Sequence, residues 1–273
     1  MMLKFLVLSD LHLVPEGAVS NGLDTADRLA QAVDSINRLH SDADFCLIAG
    51  DLADRGEARA YERLRDVLAP LSIPSHLTLG NHDDRDVFLQ VYGEGEADEN
   101  GHINKVVDLK GYRVIMLDSS EPGHGHGGLL CDQRLEWLRA RLSEAADRPV
   151  IVVLHHHAND LRLPVDRIKL DQPERFIAAL KTHPDVRQVI AGHVHITSTA
   201  FHHGIPFTTI AGSHYNVGLH LPGREGPQAR LEGPAQYAVV LADEDQVLVH
   251  FENYIDRHIA MAPGLFGAAR PAA

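Results

Sequence analysis

Short apolar runs without polar alternation recur along the first two-thirds of the chain, at residues 3–9, 45–49, 75–79, 114–117, 150–154 and 186–191. Strands covered on both faces read this way, whereas a strand with one wet face alternates apolar and polar positions. Longer mixed segments between them predict helices over 24–39, 57–68, 85–91, 131–145 and 172–182. In the second of these, Leu64, Val67, Leu68 and Leu71 form an apolar stripe with charges opposite. Pro173 and Glu174 suit the first turn of the last helix. Strand–helix alternation predicts an α/β sheet with helices on its faces. Two regions break the alternation. Residues 105–109 and 112–118, joined by Lys110-Gly111, predict an antiparallel hairpin. Segments 198–202, 207–210, 238–241 and 247–251 read as a further run of antiparallel strands. The expectation is two facing mixed sheets with helices outside them, in one domain over residues 1–260. The glycine-rich stretches 122–128 and 212–233 read as long loops, and the Ala/Gly/Pro tail over 261–273 as disordered.

Composition narrows the class. Apolar residues make up 44% and charged residues 23% of 273, the balance of an ordinary soluble protein. No apolar run approaches the roughly 20 residues needed to cross a bilayer. Residues 3–8 lead straight into Asp10 and His12 without a small-residue cleavage site, so they read as a buried strand and not a signal peptide. Cys46 and Cys131, with no CxxC spacing, predict two reduced thiols in a cytoplasmic protein. A formal charge of −13 argues against a nucleic-acid polymer or an anionic membrane as partner. An anionic small molecule would need a local source of positive charge. Histidine is abundant, at 19 residues. His40, His183 and His258 read as solvated, but many others stand beside Asp, Asn or Gly at predicted chain turns.

Five of those positions share a feature, each following a predicted strand. They are Asp10-Leu11-His12, Gly50-Asp51, Gly80-Asn81-His82-Asp83, His155-His156-His157 and Gly192-His193-Val194-His195. Ligands bind outside the carboxyl ends of strands in open α/β sheets. Imidazole and carboxylate donors together suit Fe, Mn, Zn or Co better than Ca or Mg alone. Any one cluster is as well read as a cap, a turn or a packed core histidine; five at five strand ends are not.

In order and spacing, Asp10-x-His12, Gly50-Asp51-x-x-Asp54, Gly80-Asn81-His82-Asp83, His155-His156 and Gly192-His193-x-His195 resemble the calcineurin-like metallophosphoesterases. The local variants look most like that family's bacterial cyclic-nucleotide and glycerophosphodiester phosphodiesterases. The resemblance runs from residue 3 to about 212 and implies a four-layer α/β/β/α sandwich with two divalent metal ions (Fe, Mn, Zn or Co) per chain. It implies a first metal held by Asp10, His12, Asp51 and His195, and a second held by Asp51, Asn81, His155 and His193, with Asp51 bridging. His82 matches the residue that contacts phosphate, and Asp83 would orient His82 or cap a helix. Where many relatives carry His-His-Pro, this chain has His155-His156-His157-Ala158. The implied activity is hydrolysis of small phosphodiesters, a 3′,5′-cyclic nucleotide or a glycerophosphodiester, by attack of hydroxide activated at the metals.

Substrate contacts are sought in the loops. Asn21, His156 and His214 are the main candidates, with His124, His126, Arg162, Tyr215 and Asn216 beside them. Aromatic residues are only 5% of the chain, so few side chains are available to stack a nucleobase. The alternatives are a phosphomonoesterase using Arg55 and Arg85 to grip a dianion, and a metal-binding scaffold without turnover. Relatives suggest a homo-oligomer.

Overall fold

Alternate residues of the first strand, β1 (Leu3–Leu8), face two different cores. In the computed structural model, which describes residues 1–256, Phe5 and Val7 enter one apolar layer while Leu6 and Leu8 enter another. β1 pairs in parallel with β2 (Phe45–Ala49), which pairs with β3 (Ser75–Thr78). On its other side β1 pairs antiparallel with β12 (Ala235–Ala242), the partner of β13 (Val247–Ile255). The second sheet has the order β4 (Lys105–Leu109), β5 (Tyr112–Leu117), β6 (Val150–Leu154), β7 (Val186–Ala191), β9 (Ile205–Thr209), β8 (Ser198–His202). Its four inner strands, β5, β6, β7 and β9, run parallel, and β6, paired on both sides, is apolar throughout.

The layer between the sheets contains Phe5, Phe45, Val114, Met116, Ile151, Val153 and Ile190, all essentially dry. Helices α1 (Thr25–Leu39), α2 (Ala58–Leu68) and α3 (Arg85–Tyr92) cover the first sheet through Leu29, Ile36, Tyr61, Leu64 and Phe88. Helices α4 (Asp132–Glu144) and α5 (Pro173–Leu180) cover the second through Leu135, Leu138, Phe176 and Leu180. Each such side chain stabilises the fold by roughly 1.5–3 kcal/mol. The result is a four-layer α/β/β/α sandwich. Asp24 caps α1 by accepting the amides of Ala26 and Asp27, and Asp84 caps α3 by accepting that of Val87. Lys110 and Gly111 close the β4–β5 hairpin with φ of +50° and +83°, the pair of left-handed residues a two-residue turn demands.

Three expectations are corrected. The late strands are not one antiparallel run: β8 and β9 join the second sheet, where β9 lies parallel to β7, while β12 and β13 join the first. Each pair, β8–β9 and β12–β13, is an antiparallel hairpin as expected, but the first attaches to β7 and the second to β1. The 212–233 stretch is not wholly irregular, since β10 (Asn216–Val217) pairs with β11 (Arg230–Leu231) within it. His183 is buried and not solvated, its Nε2 bonded at 2.9 Å to the carbonyl of Ala145. Both cysteines are free. Among the described residues no helix is long and apolar enough to cross a membrane. His258 and the predicted tail lie outside the described residues.

Arg134 of α4 is completely buried and ties the second sheet to the loop after β5. Its guanidinium donates to the carbonyls of Asp118 at 2.9 Å and Ser120 at 2.6 Å and pairs with Glu121. Replacing one partner of a buried ion pair strands the others. Arg134→Met should therefore lower unfolding free energy by about 3–5 kcal/mol, read as a lower urea midpoint at unchanged m-value.

Candidate metal centre

The chain bends sharply after β1, β2, β3, β6 and β7, and the bends bring Asp10, His12, Asp51, Asn81, His155, His193 and His195 to one end of the sandwich. Ten non-glycine residues of the described chain hold positive φ; five of them are Asp10, His12, Asp51, His193 and His195. Such conformations cost of order 1–3 kcal/mol each and persist where surrounding structure imposes them. Backbone bonds do so here. Asp10 N donates to Gly50 O at 3.1 Å, and His12 N to Asp51 O at 2.9 Å. Side chains add to the stitching: Asp51 Oδ1 accepts the His82 amide and Asp10 Oδ2 the His193 amide, each at 2.9 Å. Two glycines make the approach possible. A Cβ on Gly80 would stand 2.2 Å from Asp51 Oδ1, and one on Gly192 would stand 1.8 Å from Ser9 Oγ.

Asp51 is the hinge of the cluster. Its Oδ2 lies 3.5 Å from His12 Nε2 and its Oδ1 3.3 Å from His155 Nε2. Around the first oxygen stand His12 and the pair His195 Nε2–Asp10 Oδ1, 3.2 Å apart. Around the second stand His155 Nε2 and His193 Nδ1, also 3.2 Å apart.

The outer nitrogens are occupied. His195 Nδ1 donates to Tyr215 O at 2.6 Å, His155 Nδ1 to Ala49 O at 2.8 Å, and His193 Nε2 to Ile168 O at 3.0 Å. A carbonyl only accepts, so these bonds place a proton on each outer nitrogen, and in the neutral ring the inner nitrogen then carries the lone pair. His12 Nδ1 stands 3.3 Å from Asp54 Oδ1, an ion-pair distance without hydrogen-bond alignment.

Asp10 Oδ1, His12 Nε2 and Asn81 Oδ1 are buried and accept no hydrogen bond. Asn81 Nδ2 meets His126 Nδ1 at 3.0 Å, which turns its oxygen inward. Unpaired buried polar atoms are costly, and these converge on two spaces ringed by carboxylate, amide and imidazole donors. The donor set fits two divalent cations of the zinc, manganese or iron kind.

Electrostatics point the same way. Burial pushes the Asp51 carboxyl up, but the nearby rings of His155 and His82 hold it well below the usual carboxylate range. Burial pushes His155 down, and Asp51 more than offsets this, raising it to about 9. His193 is driven well below its ordinary value by burial, then by its neighbour His155. His82 is opposed by burial but raised by Asp51 and by its Nδ1 bond at 2.8 Å to Asp54 O.

Beside the cluster opens a cleft of about 530 Å³, lined by His82 and by two expected contacts, Asn21 and His214, among others. Asn21 Oδ1 accepts from Arg230, and His214 Nε2 donates to Ser20 O at 2.9 Å. His126, Tyr215, Arg167, Gln228 and Arg230 line it too.

Four expectations fall elsewhere. His156 is fully buried under the Gly128 loop and outside the cleft lining, its Nδ1 bonded at 2.8 Å to Ser119 Oγ and its Nε2 unpaired beside the rings of His155 and His193. Asp83 does not orient the His82 ring. Its carboxylate accepts the amides of Leu52, Ala53 and Gly80 at 2.8–3.1 Å and the Tyr61 hydroxyl at 3.0 Å, clamping two strand-end loops together. Burial and the charge of Asp51 push it up to about 6. Helix α3 is capped by Asp84 instead. Asn216 holds the loop, accepting from Gly212 N at 3.0 Å, and Arg162 lines a separate hollow with His220 and Arg224.

The cleft wall built by residues 164–168 and by β10 and β11 falls within the loops 158–170 and 213–236, where the sequence places candidate walls, but Val165, Ile168 and Val217 themselves are not singled out by it. A 3₁₀ turn and two-residue strands have no periodicity to read.

Comparison with known proteins agrees with the geometry. Residues 3–197 match the family model described as calcineurin-like phosphoesterase. The chain is 37% identical over 253 residues to a probable cyclic nucleotide phosphodiesterase of Rhodopseudomonas palustris, covering 91% of each chain. It is 27% identical to a probable glycerophosphodiester phosphodiesterase of Arcobacter nitrofigilis, covering 92% of each. A dimetal phosphatase from Danio rerio shares the fold with a TM-score of 0.65 at 16% identity, over 90% of this chain and 98% of that one. On sequence, fold and strand-end donors alike, the chain belongs to the calcineurin-like phosphoesterase family.

Proposed function

We propose that this chain is a hydrolase of small phosphodiesters, of the cyclic-nucleotide or glycerophosphodiester kind, acting at a two-metal centre. The observation that carries the reading is the set of inward-facing, unpaired donors at Asp10, His12 and Asn81 around a shared Asp51. Asp10, His12, Asp51 and His195 would hold one cation, and Asp51, Asn81, His155 and His193 the other. Two divalent ions held there would lower the pKa of water, stabilise the attacking and leaving oxygens, and supply the positive charge that a chain of −13 lacks for an anionic substrate.

The chain's own residues do the rest. Hydrolysis joins one water oxygen to phosphorus, breaks one phosphorus–oxygen bond to an alcohol, and leaves that alcohol oxygen needing a proton. His82 supplies it from Nε2, because Nδ1 is held by Asp54 O. Its T-shaped contact with His12, 4.6 Å between ring centroids, holds the ring over the cleft. His126, 5.5 Å from the His82 ring, forms the polar side of the same cleft.

The monoesterase alternative is less well supported. Arg55 is exposed beside Asp54, and Arg85 is committed to Asp118 and Ser120, so neither lines the cleft.

Metal-stripped protein should fail to cleave bis(4-nitrophenyl) phosphate and recover on adding Mn²⁺, with about two ions per chain by elemental analysis. Two ions bound without turnover would favour a scaffold. Faster cleavage of 4-nitrophenyl phosphate would favour a monoesterase. Asp51→Ala should lower bound metal and reduce kcat by about 1,000-fold or more; an active, metal-replete variant would sink the two-metal reading.

The role of His82 has its own signature. His82→Ala should lose about 100-fold or more in kcat on an alkyl-leaving diester, and far less when 4-nitrophenolate leaves. Equal losses on both would remove His82 as proton donor.

A further inference from the structure

One wall of the cleft carries four aliphatic side chains, with Arg167 between two of them and Gln228 and Arg230 flanking Val217. Val165, Ile168 and Val217 are half-buried and Val194 is buried, and all four line the cleft. The wall is fixed to the metal cluster by backbone bonds. Ile168 O accepts from His193 Nε2 at 3.0 Å, and Val217 N donates to His195 O at 2.9 Å. It therefore stands beside the cation sites and not at a distant rim.

Tyr215 offers no stacking platform there. One face lies on the His195 ring at 4.2 Å and 21°, and the Arg230 guanidinium sits over the ring at 5.0 Å from its centroid. Contact with an organic substituent falls to the aliphatic side chains.

We propose that this wall is a subsite for a hydrophobic ester arm, and that the arm it holds is the one that stays on phosphorus. The inference rests on the phosphodiesterase reading. The assignment of the retained arm follows from which elements carry the two groups. His82, the proton donor to the departing alcohol, follows β3 and is held by Asp51 and Asp54 after β2, all in the first sheet. Ile168 and Val217 are bonded to ligands that follow β7 in the second sheet. The leaving arm thus departs towards the first-sheet side while the retained arm lies against the second. The substrate class is a phosphodiester with one polar alcohol and one aliphatic or otherwise apolar alcohol.

The test is a homologous series of alkyl 4-nitrophenyl phosphates, methyl to hexyl, with Mn²⁺-loaded protein. All share one leaving group, so only the retained arm changes. Burying methylenes against the wall should raise kcat/KM by about twofold per carbon, or about tenfold from methyl to butyl. Val165→Thr and Val217→Thr, which keep volume but place a hydroxyl in the wall, should flatten that slope. Binding of the corresponding monoalkyl phosphates, followed by calorimetry, should show the same dependence on chain length. Rates and affinities that are level or fall from methyl to butyl would overturn the subsite. Cleavage of none of the esters would instead overturn the phosphodiesterase reading, and alkyl phosphate affinity would still report on the wall by itself.

Discussion

Asp10 and Asp51 are carboxylates taken almost wholly out of water within a shell of imidazoles. An uncompensated buried charge costs several kcal/mol, and among the described residues the groups that reach these two are the rings of His155, His12 and His195, not Lys or Arg. Two cations at the centre, as proposed above, would satisfy these donors at once. The two sheets supply ligands from opposite sides, Asp10, His12, Asp51 and Asn81 from the first and His155, His193 and His195 from the second. The distance of 3.3 Å between Asp51 and His155 is therefore set by how the two sheets pack. The dry layer of Phe5, Val7, Leu47, Met116, Ile151 and Val153 fixes that spacing and acts as the rigid frame of the site.

Strain at the strand ends is the local cost of this arrangement. A strand that continued past Ala49 or Ala191 would carry the next side chains to alternate faces of the sheet, away from a common point. Positive φ at Asp51, His193 and His195 turns them inward, and the surrounding hydrogen bonds hold the turn. Asp83 explains how two such bends stay in register. By accepting amides from both the β2 and β3 loops it fixes Asp51 relative to Asn81 and His82, although it touches no ligand atom itself. Its hydrogen bonds go to three backbone amides and the Tyr61 hydroxyl, so what it holds is loop geometry.

The sandwich and the donor set were legible in the sequence because both rest on short-range signals. Buried parallel strands show as unbroken apolar runs such as Val150–Leu154, and each ligand sits within a few residues of one. What could not be read depends on distant parts of the chain meeting. The direction His156 faces is decided by Ser119 and Gly128, whose loop fills the space a cleft residue would need. The partners of Asp83 come from 22 to 31 residues upstream, apart from Gly80. His183 looked solvated by sequence because nothing nearby announces the Ala145 carbonyl that meets it. The assignment of β12 and β13 to the first sheet follows from the open side of β1, which no local pattern encodes.

The aliphatic side chains of the cleft lie on the second-sheet side, beside Arg167 and Arg230, and His82 lies on the first-sheet side, so the two ends of the site differ in character. Proton donor, bridging carboxylate and the polar ring of His126 are linked through Asp51, Asn81 and Asp54. Aliphatic side chains are linked through His193 and His195. A symmetric diester would find two unlike surroundings for its two arms, and in-line displacement requires the departing oxygen to lie opposite the attacking one. On the function proposed above, orientation in the cleft would select which ester bond breaks. An arm held against Ile168 and Val217 would be kept away from the His82 ring, so a wall that binds one alcohol would also direct cleavage to the other.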